Sequence, residues 1–273
     1  MSGPVVKSAI VTGSSSGIGE VTALLFARQG YHVTLCGQDC GRLQEAVDKC
    51  RQAGAAGGHS NRFISVAGDM TDSGVRRKVL DDTMAAFGRL DVLVANHGIM
   101  KGGFLADLTE EDFDTTIDTN LKSFVFLIKD AVPHLEQTKG SIVCVSSILS
   151  TLTGSMLLPY FLSKAAIDHL VRCLALELGP KGIRINAVNP GAIKSRIIRF
   201  LGPGGDPDAA ENLFGPCLPL AGQASTAQEQ ADAIFFLASD QARFIHGQCL
   251  AVDGGLSVKG NPFNWLPPPQ DSS

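Results

Sequence analysis

The chain has 273 residues, 44% hydrophobic and 18% charged, which is enough apolar material for a sizeable core and too little charge for a disordered chain. A formal net charge of −4 argues against broad binding to nucleic acid or to an anionic membrane surface, and no apolar run reaches the ~18 residues of a membrane span. Seven cysteines (36, 40, 50, 144, 173, 217 and 249) are odd in number and lack C-x-x-C spacing, so they read as reduced thiols of a cytoplasmic protein, not as a disulfide framework or a metal site. The opening MSGPVVKSAIVTG has no basic segment followed by a long apolar run and does not read as a secretory signal.

Short β-rich runs recur along the chain at 8–12, 32–36, 62–67, 91–95, 141–146, 183–188 and 248–252. Between them lie segments of helical period at 17–29, 40–53, 73–87, 109–131, 159–178 and 226–239. Near-continuous apolar strands alternating with helices predict parallel strands buried on both faces, hence an α/β fold with a doubly wound seven-stranded sheet. A single domain is expected over 1–256. The segment 194–222, broken by GPGGDP, reads as a lid insertion, and 257–273 as a Pro-rich tail.

Ligands of such sheets bind outside the carboxyl ends of the strands. There the sequence reads TGSSSGIG (12–19), GQ (37–38), GDM (68–70), NHG (96–98), SS (146–147) and NPG (189–191), small and polar groups on one rim. TGSSSGIGE between a strand and a helix lets backbone approach a ligand and offers unpaired helix N–H groups to a phosphate. It is neither G-x-x-x-x-G-K-[ST] nor G-x-G-x-x-G, since its glycines are spaced G-x-x-x-G-x-G. Farther on, Tyr160 and Lys164 stand at i and i+4 of a helical segment, so phenol and ammonium can serve one space.

In this order and spacing, TGSSSGIG, NHG, YFLSK and NPG resemble the motifs of the short-chain dehydrogenase/reductase family, over roughly residues 5–256. The resemblance implies a Rossmann-type sheet, a nicotinamide dinucleotide, and hydride transfer to or from a small-molecule alcohol or carbonyl substrate. It assigns Gly13, Gly17, Ile18 and Gly19 to the pyrophosphate turn, Asp69 and Met70 to the adenine, and Asn96, with Gly98 beside it, to the adenosine side. Asn189, Gly191 and Ile193 fall to the wall beside the nicotinamide. Asp69 also suits a helix N-cap before 71–87, and Gly98 and Gly191 suit simple turns. The chain departs from the family at Ala95 and His97, where Asn and Ala are usual; His97 reads as a tolerated loop residue rather than a catalytic one.

Hydride transfer to a ketone leaves an oxyanion to protonate, and Tyr160 suits that task. Lowering a phenol pKa of ~10 to neutrality takes ~4 kcal/mol, and the Lys164 ammonium acts in that direction. The family lysine also holds the nicotinamide ribose. Ser147, thirteen residues before Tyr160, is the expected donor to the substrate oxygen, with strand termination as the alternative. Asn120 lies where the family has an Asn that positions a proton-relay water, though a buried Asn needs partners in any case. Gly37-Gln38 follows strand two where NAD-preferring sites carry an acidic residue; with Ser14 and Gln38 as neutral donors, a modest preference for NADP(H) over NAD(H) is expected. The lid's Ile197, Ile198, Phe200, Leu201, Phe214, Leu218 and Leu220 predict an apolar substrate. The family implies a homo-oligomer, a tetramer or dimer packed through 109–131 and 159–178. The competing readings are a dinucleotide-binding sensor or docking protein without turnover, and a same-fold epimerase or dehydratase.

Overall fold

The structure, a computed structural model, describes residues 5–154, 156–193, 218–220 and 224–259. Seven parallel strands form one sheet: β1 (Ser8–Thr12), β2 (His32–Gly37), β3 (Phe63–Ala67), β4 (Val92–Ala95), β5 (Ser141–Val145), β6 (Arg184–Pro190) and β7 (Cys249–Val252), in the order β3-β2-β1-β4-β5-β6-β7. The helices are α1 (Gly17–Arg28), α2 (Cys40–Ala56), α3 (Ser73–Phe87), α4 (Glu110–Ile117), α5 (Ser123–Thr138), α6 (Leu158–Leu178) and α7 (Ala227–Ala238), with a final turn, Leu256–Lys259.

Successive strand residues point to opposite faces. Ile10, Leu93, Ile142 and Ile185 therefore pack on one side with Phe124, Leu127 and Ile167 of α5 and α6. Ala9, Val11, Val94 and Val143 pack on the other with Phe26 of α1 and Ile234 of α7. Strand order reverses between β1 and β4, whose connections leave over opposite faces. This opens a crevice at their carboxyl ends.

Strand ends fall within two residues of expectation, but the helix expected over 109–131 differs. It consists of α4, a π-turn at Asp118–Lys122 and α5, which continues through Pro133 to Thr138. Asp72, not Asp69, caps α3, accepting from the Gly74 N–H. Of the lid, Ile197, Ile198, Phe200, Leu201 and Phe214 lie outside the described residues. Leu218 is buried with Ile148, Ala224 and Leu256, whereas Leu220 is exposed.

Candidate functional site

The ends of the strands border one cleft of about 660 Å³. On its β1 side the chain turns through Gly13 (φ +64°) and Gly17 (φ +61°), left-handed conformations that favour glycine. A Cβ on Gly17 would meet nothing within 4 Å. Behind the turn, one on Gly19 would lie 2.3 Å from the Gly13 carbonyl oxygen, so Gly19 serves close packing and does not border the cleft. The Asn96 amide donates to the carbonyls of Thr12 (2.9 Å) and Gly13 (3.3 Å), holding the turn to β4. Ser16 begins α1 without a side-chain cap, whereas Asp39, Asp72, Thr109 and Thr226 cap α2, α3, α4 and α7. The α1 N-terminus thus keeps its unpaired N–H groups.

Ser14 corrects one expectation. Its hydroxyl accepts from the Cys36 N–H (2.8 Å) and is fully buried, so it is not available to a ligand; Ser15 and Ser16 border the cleft instead. Ile18, Gln38, Asp69 and Met70 border it as well. Gln38 donates to Asp69 (2.9 Å), which also accepts from the Thr71 N–H and hydroxyl. Beside them Arg42, which sequence reasoning passed over, pairs with Asp39 at 2.9 Å.

At the other end, Tyr160 and Lys164 rise from α6 into the cleft beside Ser147, all three buried. The Lys164 ammonium donates to the Val145 carbonyl (2.9 Å) and lies 5.5 Å from the centre of the Tyr160 ring. Ser147 Oγ accepts from the Leu149 N–H (3.1 Å), which leaves its own proton free to donate. Burial pushes the Tyr160 phenol up to about 12, against a Ser147 hydrogen bond that draws it down. Burial lowers Lys164 to about 8. Lys164 was expected to depress the phenol; here desolvation outweighs any such effect, and the opposing group is Ser147.

Asn120 sits in the π-turn, fully buried. Its side chain is spent on the Ile99 N–H and carbonyl (both 2.8 Å) and on Ser163 (3.1 Å), tying the loop after β4 to α6. Its neighbour Thr119 borders the cleft instead. Gly98 packs against this amide, since a Cβ there would lie 3.2 Å from Asn120 Oδ1. Just after β6, Gly191 and Ile193 border the cleft, while Asn189 on the strand lies behind it and donates to the Ser147 carbonyl (3.1 Å).

His97 is a buried strut. Its Nδ1 lies 2.8 Å from Thr12 Oγ1 and its Nε2 2.7 Å from Ser123 Oγ. Because the Ser123 hydroxyl already donates to the Thr119 carbonyl, Nε2 carries the proton and Nδ1 accepts from Thr12. Burial lowers its pKa to about 3, so it stays neutral. Asp168 also escaped the sequence reading. It stands four residues after Lys164, and an acidic residue at that spacing in an apolar helix was the available signal.

The family model described as "Enoyl-(Acyl carrier protein) reductase" matches residues 13–257. The mitochondrial (-)-isopiperitenol/(-)-carveol dehydrogenase of Mentha piperita is 35% identical over 258 residues, covering 92% of this chain and 93% of that protein. The 3-oxoacyl-(acyl-carrier-protein) reductase FabG of Thermotoga maritima is 34% identical, covering 92% and 98%. A short-chain dehydrogenase/reductase of Caenorhabditis elegans, solved with its cofactor, superposes with a TM-score of 0.83 at 32% identity, covering 92% and 95%. The chain belongs to the short-chain dehydrogenase/reductase family and is an oxidoreductase dependent on a nicotinamide cofactor.

Proposed function

We propose that the protein interconverts an apolar ketone and its secondary alcohol, with Tyr160 exchanging the proton and NADP(H) modestly preferred over NAD(H). The carrying observation is that Tyr160, Ser147 and Lys164 share one cleft with the uncapped end of α1. These residues fit a dinucleotide: Gly17 leaves open space where a side chain would stand, and the free α1 N–H groups suit a pyrophosphate. Such a cofactor, when bound, supplies or accepts the hydride. Ser147, whose hydroxyl proton otherwise serves Tyr160, donates it to the substrate oxygen. Tyr160, a phenol at neutral pH, delivers a proton to that oxygen in reduction and, as phenolate, removes it in oxidation. Lys164 holds the nicotinamide ribose, and Asn120 keeps the loop after β4 in register with α6.

Two further features support the finer points. No acidic residue occupies positions 37–38, and the Asp39 carboxylate there is engaged by Arg42, whose guanidinium can meet a 2′-phosphate along with Gln38 once that amide turns from Asp69. Met100, Leu149, Leu152, Leu157, Ile193 and Leu256 line the opposite end. Burying three such side chains against a ligand contributes several kcal/mol at about 1.5–3 each. Half-exposed Phe126 and Leu162 on α5 and α6 suit a homo-oligomer through those helices, whereas Phe124, Leu127 and Ile128 of the same run are core. The six described cysteines are free thiols, in keeping with a reducing compartment such as the cytoplasm.

The test is consumption of NADPH or NADH with ketones of increasing chain length. Turnover should rise with length, kcat/KM should favour NADPH, and Gln38→Arg should widen that ratio. Cofactor binding without consumption across the series would reject the reaction, and a flat response to chain length would reject the apolar substrate.

A further inference from the structure

Behind Tyr160 and Lys164 on α6, the buried Asp168 belongs to no part of the reaction described above. Its Oδ2 accepts from the Ser150 hydroxyl (2.6 Å) and from the Asn189 amide (2.8 Å). The same Asn189 amide donates to the Ser147 carbonyl (3.1 Å) and to Ser150 Oγ (3.0 Å). One carboxylate oxygen thereby joins three elements: α6, the turn after β5 that carries Ser147, and β6. The other oxygen, Oδ1, is buried without a hydrogen-bond partner.

We propose that Asp168 is a positioning residue, whose carboxylate ties the Ser147–Ser150 turn to β6 and sets a buried negative charge behind the Lys164 ammonium. The inference rests on the reaction proposed above. A carboxylate buried with one oxygen unpaired is costly unless its charge is used, and the cation that feels it is Lys164. The other titratable groups that feel it are two thiols, Cys144 on β5 and Cys249 on β7, both raised by burial and both neutral near pH 7. Arg172, one turn farther along α6, acts on Cys249. Cys144 also faces Lys164 but raises it only as a thiolate, and burial holds that thiol up at about 12, so near neutrality Asp168 is the group that opposes the burial lowering Lys164 and helps keep the ammonium charged.

Two readouts test this without a substrate. In protein labelled with ¹³C-lysine, Lys164, assigned by Lys164→Arg, should titrate near 8. Asp168→Asn keeps an acceptor in place but removes the charge, and should move that midpoint down by about one unit. Ser150→Ala keeps the charge, so it should leave the midpoint in place but speed amide hydrogen exchange across 147–152. An unmoved midpoint in Asp168→Asn overturns the electrostatic role, and unchanged exchange in Ser150→Ala overturns the tie. Ser150→Ala tests the tie even if Asp168→Asn does not fold. With an active ketone, Asp168→Asn should move the alkaline limb of kcat/KM for the cofactor to lower pH, together with the Lys164 midpoint, a displacement that general destabilisation would not give. Failure of the proposed reaction would appear instead as no turnover by the wild type.

Discussion

Burial drives Tyr160 and Lys164 in opposite directions, the phenol up to about 12 and the ammonium down to about 8. Below pH 8 the pair is a phenol beside an ammonium, the state that donates a proton and holds a ribose. Above pH 8 Lys164 loses its charge while Tyr160 is still protonated. The kcat/KM for the cofactor should therefore fall as pH rises through about 8, the limb belonging to Lys164; a profile flat to pH 10 would contradict that assignment. His97 behaves otherwise. With its pKa lowered to about 3 it contributes no limb near neutrality. His97→Ala should instead cost about 2–4 kcal/mol in denaturant unfolding, by leaving the Thr12 and Ser123 hydroxyls facing a cavity. A pH limb near 6.5 that disappears in His97→Ala would mean that the imidazole titrates and is not a neutral strut.

Among the elements, the β1–α1 turn separates two kinds of glycine. Gly17→Ala meets no atom but carries left-handed strain of about 1–2 kcal/mol, and its methyl faces the space meant for the cofactor. Gly19→Ala drives a methyl against the Gly13 carbonyl. Gly17→Ala should weaken cofactor affinity with a small loss of stability, while Gly19→Ala should lower the melting temperature sharply; calorimetry and cofactor titration of both variants distinguish them. The turn's position was legible, because glycine spacing after an apolar strand is a local signal. Which serine faces the ligand was not: Ser14 looked available, but the left-handed Gly13 turns it onto Cys36. The π-turn holding Asn120 was equally hidden, since it answers to Ile99 and Ser163, distant in sequence. Asp168 eluded the reading for the same reason, its partners Ser150 and Asn189 lying on other elements. Tyr160, Lys164 and Ser147 were legible because helical spacing and the end of a strand fix them locally.

At the scale of the molecule, strand order does the assembly. The reversal between β1 and β4 opens the crevice, β1 and β2 bring the glycine turn and Gln38 to one half of it, and β5 and α6 bring Ser147, Tyr160 and Lys164 to the other. The seven-stranded parallel sheet was legible from apolar runs alternating with helical segments, because both of its faces are covered. The account's central claim is that Tyr160 transfers the proton in a nicotinamide-dependent reaction, and Tyr160→Phe tests it most directly. The ring is buried and stays in place, so only the hydroxyl is lost. Measured together, the dissociation constant for NADPH should stay within about twofold of the wild type, and kcat for ketone reduction should fall by about 10²–10⁴. A Tyr160→Phe protein that reduces the same ketone at the wild-type rate would contradict the account.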